Sequence, residues 1–251
     1  MLAQKETVSF CCKHPCGNIS PEARGTGQTM SLRIHVLQHT DSSVPGSVLD
    51  WLKTKGHAST VVRIHKGDAL PSVDETDWLI VMGGSMNVDD TEKYPWLLEE
   101  KKLLKEAIAA KKTCFGICLG GQLLAQALGA EVKKHEHWEL GWHTVHFGSG
   151  PESRLMVFQW HEDTLDIPDG ALRLAKSGMC LNQAFRFRKN AYGLQFHIEV
   201  TPMIIKSWIK AYVKKGDIDI DTKNMIKESR ENKLEFERQA NLIYLNLTGI
   251  I

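Results

Sequence analysis

The residues with the clearest chemical character lie at 115–122, which read Phe-Gly-Ile-Cys-Leu-Gly-Gly-Gln. A β-rich run precedes Cys118 and a helix-forming run follows it, which predicts a sharp strand-to-helix turn that exposes the thiol. Gly116 and Gly120 fall where side chains would collide with such a turn. A helix N-terminus stabilises a thiolate and offers backbone N–H groups to an oxyanion. The octet predicts a nucleophile at Cys118, although a buried cysteine in an ordinary glycine-rich turn remains the alternative.

A candidate general base follows some eighty residues later. The segment 192–199 alternates like a strand and ends in His197 and Glu199. Residues two apart on a strand point to the same side, so His197 is expected to face the thiol while Glu199 orients its imidazole. Taken singly, the two residues are an ordinary core histidine and a solvated carboxylate. Together with Cys118 they predict a catalytic triad in the order Cys, His, Glu.

Four blocks in a fixed order carry a family resemblance. They are Gly83-Gly84-Ser85-Met86, the octet around Cys118, Trp160-His161-Glu162-Asp163, and Gln195-Phe196-His197-Ile198-Glu199. Over about residues 32–247 the chain resembles the class I glutamine amidotransferases, most of all stand-alone proteins similar to the glutaminase half of GMP synthase. Ser85 and Ile198 stand where that family often has proline, and neither position carries a catalytic side chain.

The resemblance implies a role for each matching residue. Cys118 would attack the side-chain amide of glutamine and release ammonia, leaving a γ-glutamyl thioester that is hydrolysed or passed on. His197 would act as general base and acid, and Glu199 would support it. The backbone N–H groups of Gly84 and Leu119 match the two donors to the oxyanion.

The resemblance also implies the substrate pocket. Gln122 matches a position that lines the glutamine site, and His161 and Asp163 belong to a loop that helps to hold the amino-acid end of the substrate. Trp142 is expected in the pocket wall, because related proteins have a similar Gly-Trp pair. The same proteins include γ-glutamyl peptidases, which use the same thioester on a peptide-like bond.

Composition excludes several other classes of protein. The chain has 251 residues, 42% hydrophobic and 24% charged, with a net charge of +1, so neither nucleic acid nor membrane is an expected partner. No apolar run reaches the roughly 18 residues of a spanning helix. The six cysteines do not resemble a disulfide framework, and a reactive thiol favours the cytoplasm. Histidines between 135 and 146 are spread along alternating strands, so no metal and no cofactor are predicted.

The first 29 residues are predicted to lie outside the fold, as a disordered extension or a misassigned start, and residues 30–251 to form one domain. Cys11, Cys12, His14 and Cys16 have the wrong spacing for a zinc knuckle. The segment also lacks the apolar stretch of a signal peptide.

The remainder alternates strand and helix. This predicts an α/β fold of the flavodoxin-like type, with an open, mostly parallel twisted sheet, helices on both faces and a small antiparallel flank. Strands are expected at 32–38, 60–64, 77–82 and 113–117, short β segments between 132 and 196, and helices at 46–55, 96–110, 122–128, 203–213 and 225–247. Leu98 and Leu234 are expected on the buried stripes of the second and the last of these helices.

Three functions remain open at this point. The first is a glutamine amidotransferase or glutaminase that releases ammonia, with a synthase subunit in trans as a possible partner because the sequence contains no synthase domain. The second is a γ-glutamyl peptidase acting on compounds such as glutathione conjugates. The third is a non-catalytic binding module on the same scaffold, against which the intact cysteine, histidine and glutamate argue.

Overall fold

The computed structural model describes residues 32–148, 154–213 and 220–247, with side chains up to 244, so the predicted extension at 1–29 lies outside the described residues. The strands are β1 (Ile34–Gln38), β2 (Ser59–Arg63), β3 (Trp78–Val81), β4 (Thr113–Ile117), β5 (Val132–Phe147), β6 (Arg154–Leu165), β7 (Ala171–Lys176), β8 (Ala184–Phe187) and β9 (Ala191–Leu194). The α-helices are α1 (Ser47–Thr54), α2 (Trp96–Ala109), α3 (Leu119–Ala127), α4 (Pro202–Tyr212), α5 (Thr222–Glu231) and α6 (Lys233–Leu247).

Within these ranges the strands form one sheet in the order β2-β1-β3-β4-β9-β8-β7-β5-β6. The first five are parallel, and each pairing from β9 to β6 is antiparallel. The predicted α/β class with a mostly parallel central sheet is therefore confirmed. The flank is longer than the short segments expected, because β5 has 16 residues and β6 has 12.

Side chains of the central strands alternate between two helical layers. On β3, Trp78 and Ile80 pack in the cluster that includes α1 and α6, whereas Leu79 and Val81 pack in the cluster that includes α2 and α3. Strands buried on both faces read as continuous apolar runs, which is why this region is recognisable in the sequence. The prediction of helices on both faces of the sheet is confirmed.

Two expectations about helices are wrong. Leu98, predicted to lie on the buried stripe of α2, is 59% exposed, and Glu100 lies on the buried face instead. The predicted helix at 225–247 is divided into α5 and α6, and Leu234, expected to be buried, is 81% exposed. In both cases an apolar residue falls within the periodic window but away from the face that packs. None of the helices described is long and apolar enough to cross a bilayer.

Candidate active site

Cys118 lies on the turn between β4 and α3 in a backbone conformation of positive φ, with φ 52° and ψ −112°. A non-glycine residue in this region is strained by about 1–3 kcal/mol and persists only where its surroundings hold it. Its N–H donates to the carbonyl oxygen of Leu194 at 2.8 Å. A Cβ on Gly116 would overlap the backbone of Gly120, and one on Gly120 would overlap the Val81 oxygen. Both predicted glycine constraints are therefore present.

His197 and Glu199 meet, although not by the expected route. Their Nδ1 and Oε1 atoms are 2.7 Å apart and both side chains are buried. The strand β9 ends at Leu194, so the strand alternation used to align the two residues does not apply. Instead the His197 N–H donates to the Phe158 oxygen at 2.8 Å, and the Ile198 N–H donates to Glu199 Oε2 at 3.0 Å. A curled segment after the strand brings the carboxylate to the ring.

The electrostatics of this group favour a charged imidazole. Burial on its own lowers the pKa of His197, but the interactions of the ring with Glu199 and Cys118 outweigh it and raise that pKa to about 10. Because Nδ1 of His197 is hydrogen-bonded to Glu199, the hydrogen bond between His197 and Cys118 is made by Nε2. The Trp208 ring packs edge-on against the imidazole, with 4.7 Å between the ring centroids. Gln195 Nε2 is 3.9 Å from the Cys118 sulfur.

The backbone around Glu199 is tied to distant parts of the chain. Ser47, the first residue of α1, donates its N–H to the Glu199 oxygen at 3.0 Å and its hydroxyl to the Ile198 oxygen at 3.0 Å. The same hydroxyl lies 3.2 Å from the Tyr244 hydroxyl on α6. A Cβ on Gly46 would overlap the Glu199 oxygen, so only glycine permits this approach.

Gly84 and Leu119, the two residues predicted to supply oxyanion donors, lie against each other close to Cys118. A Cβ on Gly83 would be 3.2 Å from Cε1 of His197 and 3.6 Å from Cβ of Cys118, so this loop passes directly against these two residues. A Cβ on Gly84 would be 2.7 Å from Cδ2 of Leu119. Leu119 begins α3, and its N–H is one of those that a helix N-terminus leaves without an internal partner.

A cavity of about 650 Å³ opens above Cys118 and His197. Three predicted substrate residues line it, namely Gln122, His161 and Asp163. Gln122 Nε2 donates to Gln195 Oε1 at 3.2 Å and to the backbone carbonyl oxygen of Asp163 at 3.3 Å. Other charged and polar lining residues are Asn87, Asp89, Asp90, Lys133, Lys134 and Glu162.

Trp142, the fourth predicted substrate residue, does not line this cavity. It faces a separate cavity of about 80 Å³ on the other side of His197 and stacks on Phe236 at 3.6 Å. The tryptophans that do line the larger cavity include Trp138 and Trp160. Trp138 lies in a bulge of β5, where the pairing with β6 shifts register between Lys134 and Glu139. Such a bulge re-aims the side chains that follow it, which sequence alternation alone does not reveal.

The burial of Glu139 has no signature in the sequence. Ser177 Oγ donates to its Oε1 at 2.7 Å and Gln183 Nε2 to its Oε2 at 2.6 Å. Oε2 of Glu139 lies 3.0 Å from Nε2 of His161. Nδ1 of the same histidine is 3.0 Å from the backbone carbonyl oxygen of Asp163. Burial raises the pKa of Glu139, but these hydrogen bonds and His161 outweigh it and hold the pKa below its usual value. The contact with Glu139 therefore holds His161, and with it this part of β6, in position.

Within the described ranges, no group of three or more histidine, cysteine, aspartate or glutamate side chains is placed to hold a metal ion. The cysteines described, Cys114, Cys118 and Cys180, are buried and free. Those in the first 29 residues lie outside the described part of the chain.

Comparison with known proteins agrees with the fold and the motifs. The model of the class I glutamine amidotransferase family matches residues 36–211. The chain therefore belongs to the class I glutamine amidotransferase family.

The individual relatives within this similarity are named for different activities. The chain is 32% identical over 196 residues to the glutamine amidotransferase-like protein YfeJ of Salmonella typhimurium, covering 71% of this chain and 80% of YfeJ. It is 31% identical over 136 residues to a glutamine-hydrolysing GMP synthase subunit of Thermoplasma acidophilum, 51% of this chain and 66% of the other. Gamma-glutamyl peptidase 4 of Arabidopsis thaliana is 28% identical over 151 residues, 55% and 60%. A solved glutamine amidotransferase from Thermotoga maritima superposes with a TM-score of 0.77 at 32% identity, covering 86% and 97%.

Proposed function

We propose that this chain hydrolyses the side-chain amide of glutamine through a γ-glutamyl thioester on Cys118 and releases ammonia. The observation that carries the proposal is the buried hydrogen-bonded series Glu199, His197, Cys118, with the cysteine on a strained turn at the N-terminus of α3. Charge separation between a buried imidazole and the neighbouring thiol is the state that an acyl-transfer cysteine requires.

The first half-reaction forms the thioester. The Cys118 sulfur attacks the γ-carbonyl carbon, and the carbonyl electron pair moves to oxygen, where the N–H groups of Gly84 and Leu119 would stabilise it. When the oxyanion collapses, the C–N bond breaks and the His197 imidazolium gives its proton to the leaving nitrogen. Ammonia departs, and a neutral imidazole remains beside the thioester.

The second half-reaction restores the site. Neutral His197 takes a proton from water as the water oxygen attacks the thioester carbon, and the C–S bond then breaks to return the thiolate and release glutamate. Glu199 stabilises the imidazolium that is present before each acylation and forms again in deacylation. Its two oxygens are already engaged by His197 and by the Ile198 N–H, so it is oriented for this role.

The amino-acid end of the substrate is assigned to the segment that follows Trp160. His161 and Asp163 lie on one wall of the cavity, and Gln122 lies beside them. The Asp163 carboxylate accepts a hydrogen bond from Asn87 Nδ2 at 2.7 Å, which holds it toward the loop after β3. A carboxylate placed in this way is suited to an α-ammonium group.

Similarity to the glutamine-hydrolysing subunit of a GMP synthase supports a synthase partner in trans that would consume the ammonia. We expect slow glutamine hydrolysis by the isolated chain and faster hydrolysis when such a partner is present. An increase in ammonia release on addition of the synthase protein supports this, and no change with any candidate synthase argues for independent action.

A second function is favoured by the size of the cavity. A volume of about 650 Å³ is in the range of drug-sized ligands and exceeds what glutamine fills. Trp138, 42% exposed in the β5 bulge, could contact a leaving group larger than ammonia. Together with the similarity to gamma-glutamyl peptidase 4, this supports hydrolysis of γ-glutamyl peptides.

One experiment separates the two functions. Release of ammonia or glutamate is measured with glutamine, glutathione and a small panel of γ-glutamyl compounds. Turnover of a peptide much faster than glutamine, without any partner, selects the peptidase. A chloroketone analogue of glutamine should label Cys118 stoichiometrically in either case. Labelling of Cys180 instead would overturn both proposals.

A further inference from the structure

A second buried histidine–glutamate pair lies behind the Gly83–Gly84 loop. His39, just beyond the end of β1, is 1% exposed, and Glu100 on α2 is fully buried. Nδ1 of His39 is 3.1 Å from the Gly83 oxygen, and Nε2 is 3.0 and 3.2 Å from the two Glu100 oxygens. The ring stacks on Trp96 at 5.5 Å with an interplanar angle of 9°. Neither residue is part of the catalytic series of Cys118.

The hydrogen bonds fix where the protons lie. A carbonyl oxygen only accepts, so Nδ1 of His39 must donate to Gly83. Nε2 faces a carboxylate and can donate to it as well, which is the arrangement of an imidazolium. Burial lowers the pKa of His39, but the charge and hydrogen bonding of Glu100 outweigh it and the pKa is raised. The ring, locked by Trp96 and Glu100, is therefore a rigid donor aimed at one backbone oxygen.

That oxygen shares a peptide unit with a predicted oxyanion donor. The carbonyl of Gly83 and the N–H of Gly84 lie in one plane and point in opposite directions, because a peptide bond is planar and trans. Holding the carbonyl toward His39 turns the N–H away from His39. The other side of the loop is the catalytic cavity, which Gly84 lines together with Cys118.

We propose that His39 and Glu100 are positioning residues that hold the Gly83–Gly84 peptide with its N–H directed at the oxyanion. The inference rests on the proposed acyl-transfer function and adds to it a source of orientation within the chain itself. Such a clamp is needed because glycine has wide conformational freedom, so the Gly83–Gly84 peptide could otherwise rotate. A buried ionic pair is seldom needed for stability alone, because apolar residues of similar volume serve as well.

The test compares variants that remove or keep the donor. His39→Phe keeps the ring and the stack on Trp96 but removes both N–H groups. His39→Asn keeps an amide N–H close to the position of Nδ1. Glu100→Gln keeps an acceptor for Nε2 and removes the charge. Each protein is checked for folding by its thermal midpoint and near-ultraviolet circular dichroism before kinetics are measured.

Loss of one oxyanion donor lowers kcat by roughly 10²–10³-fold. We expect His39→Phe to fall in that range with KM within about threefold, because the interaction is made in the transition state. His39→Asn should recover at least about a tenth of wild-type kcat, and Glu100→Gln should lie between the two. Unchanged kcat in folded His39→Phe, or a rise in KM alone, would overturn the inference. If His39→Phe does not fold, Glu100→Gln decides the question. A lower kcat in Glu100→Gln without a change in KM supports the clamp, and wild-type kcat contradicts it.

A second measurement does not depend on turnover. A chloroketone analogue of glutamine passes through a tetrahedral adduct that needs the oxyanion donors, whereas iodoacetamide alkylates the thiolate by direct displacement. The ratio of the two labelling rates at Cys118 should fall at least about tenfold in His39→Phe, with the iodoacetamide rate unchanged. An unchanged ratio refutes the clamp. Absence of glutamine and γ-glutamyl turnover in the wild type refutes the proposed function instead, and the labelling ratio still tests the clamp.

Discussion

The parallel half of the sheet and its antiparallel flank contribute opposite walls of one cavity by different means. From the parallel half come two short glycine-rich turns, one after β3 with Gly84 and one after β4 with Cys118. A side chain at Gly84 would overlap that of Leu119, and one at Gly120 would overlap the backbone oxygen of Val81. From the flank comes a long hairpin, β5 and β6, which carries Trp138 in its bulge and His161 on its second strand.

We propose that one wall serves the reaction and the other serves recognition of the substrate. Backbone groups in fixed turns suit the chemical step, in which a small error of position is costly. Side chains on a bulged hairpin suit recognition, because they can change size without disturbing the sheet. Each wall is backed by a buried histidine–glutamate pair, His39 with Glu100 on one side and His161 with Glu139 on the other. Changes in the first wall should affect kcat, and changes in the second should affect KM.

The largest effect is expected at Cys118. Cys118→Ala should abolish turnover and leave the fold intact, and Cys118→Ser should be nearly as poor because a hydroxyl is much harder to deprotonate. Cys114→Ala is the matched control, since burial raises the pKa of Cys114 to about 12 and leaves it unreactive. Glutamate release measures the result. More than about a tenth of wild-type activity in Cys118→Ala contradicts the assignment.

A smaller effect is expected at the base. His197→Ala should lose roughly 10²–10⁴ in kcat, and Glu199→Gln less, because it keeps the shape and removes the charge. The imidazolium must protonate the leaving nitrogen, so kcat should fall on the alkaline side as pH passes the His197 pKa of about 10. Loss of the Glu199 charge lowers that pKa, so the alkaline limb should move to lower pH in Glu199→Gln. A pH profile with an unmoved limb argues against this pairing.

On the recognition wall, Glu139→Gln should raise KM for glutamine by about tenfold with a smaller change in kcat, since it loosens the support of His161. Glu106→Gln is the control, because Glu106 is exposed on α2, pairs with Lys102 at 3.9 Å and does not line the cavity. Steady-state kinetics at saturating and limiting glutamine distinguish the two constants. A fall in kcat alone would remove the distinction between the walls.

The smallest effect is expected at Trp138. Trp138→Ala should leave glutamine kinetics within about twofold and weaken γ-glutamyl peptides with aromatic leaving groups by about tenfold, the value of one lost aromatic contact. Specificity constants for glutamine and for one such peptide, measured side by side, give the comparison. Equal losses on both substrates would place Trp138 in the glutamyl site instead.

The two walls also differ in how far the sequence predicts them. Around Cys118 the turn is encoded locally by Gly116 and Gly120, so the strained turn and the strand before it follow from eight residues. His197 and Glu199 are recognisable by their pattern, although the strand that was expected to align them ends at Leu194.

The flank is less predictable because its geometry depends on pairing register. Trp142 is expected in the pocket from the sequence and Trp138 is not, since the bulge before Glu139 has no signature in the sequence and alters which side chains face the site. The buried pair of His39 and Glu100 joins residues 61 positions apart, and a lone histidine and a helical glutamate carry no mutual signal in one sequence.

The bonds that anchor the Glu199 backbone bear on when the enzyme becomes active. Ser47 reaches Ile198 across 151 positions and Tyr244 across 197, so the backbone beside the proposed catalytic carboxylate is held by segments made at very different times during synthesis. Contacts between distant segments close late, because the entropy of a long loop is lost before they form. In a growing chain, Cys118 is therefore synthesised long before His197 and Glu199 can be held in place beside it. Released chains of graded length should stay inert toward glutamine until α6 is included, and activity in chains lacking α6 would show that the anchor from Ser47 is sufficient.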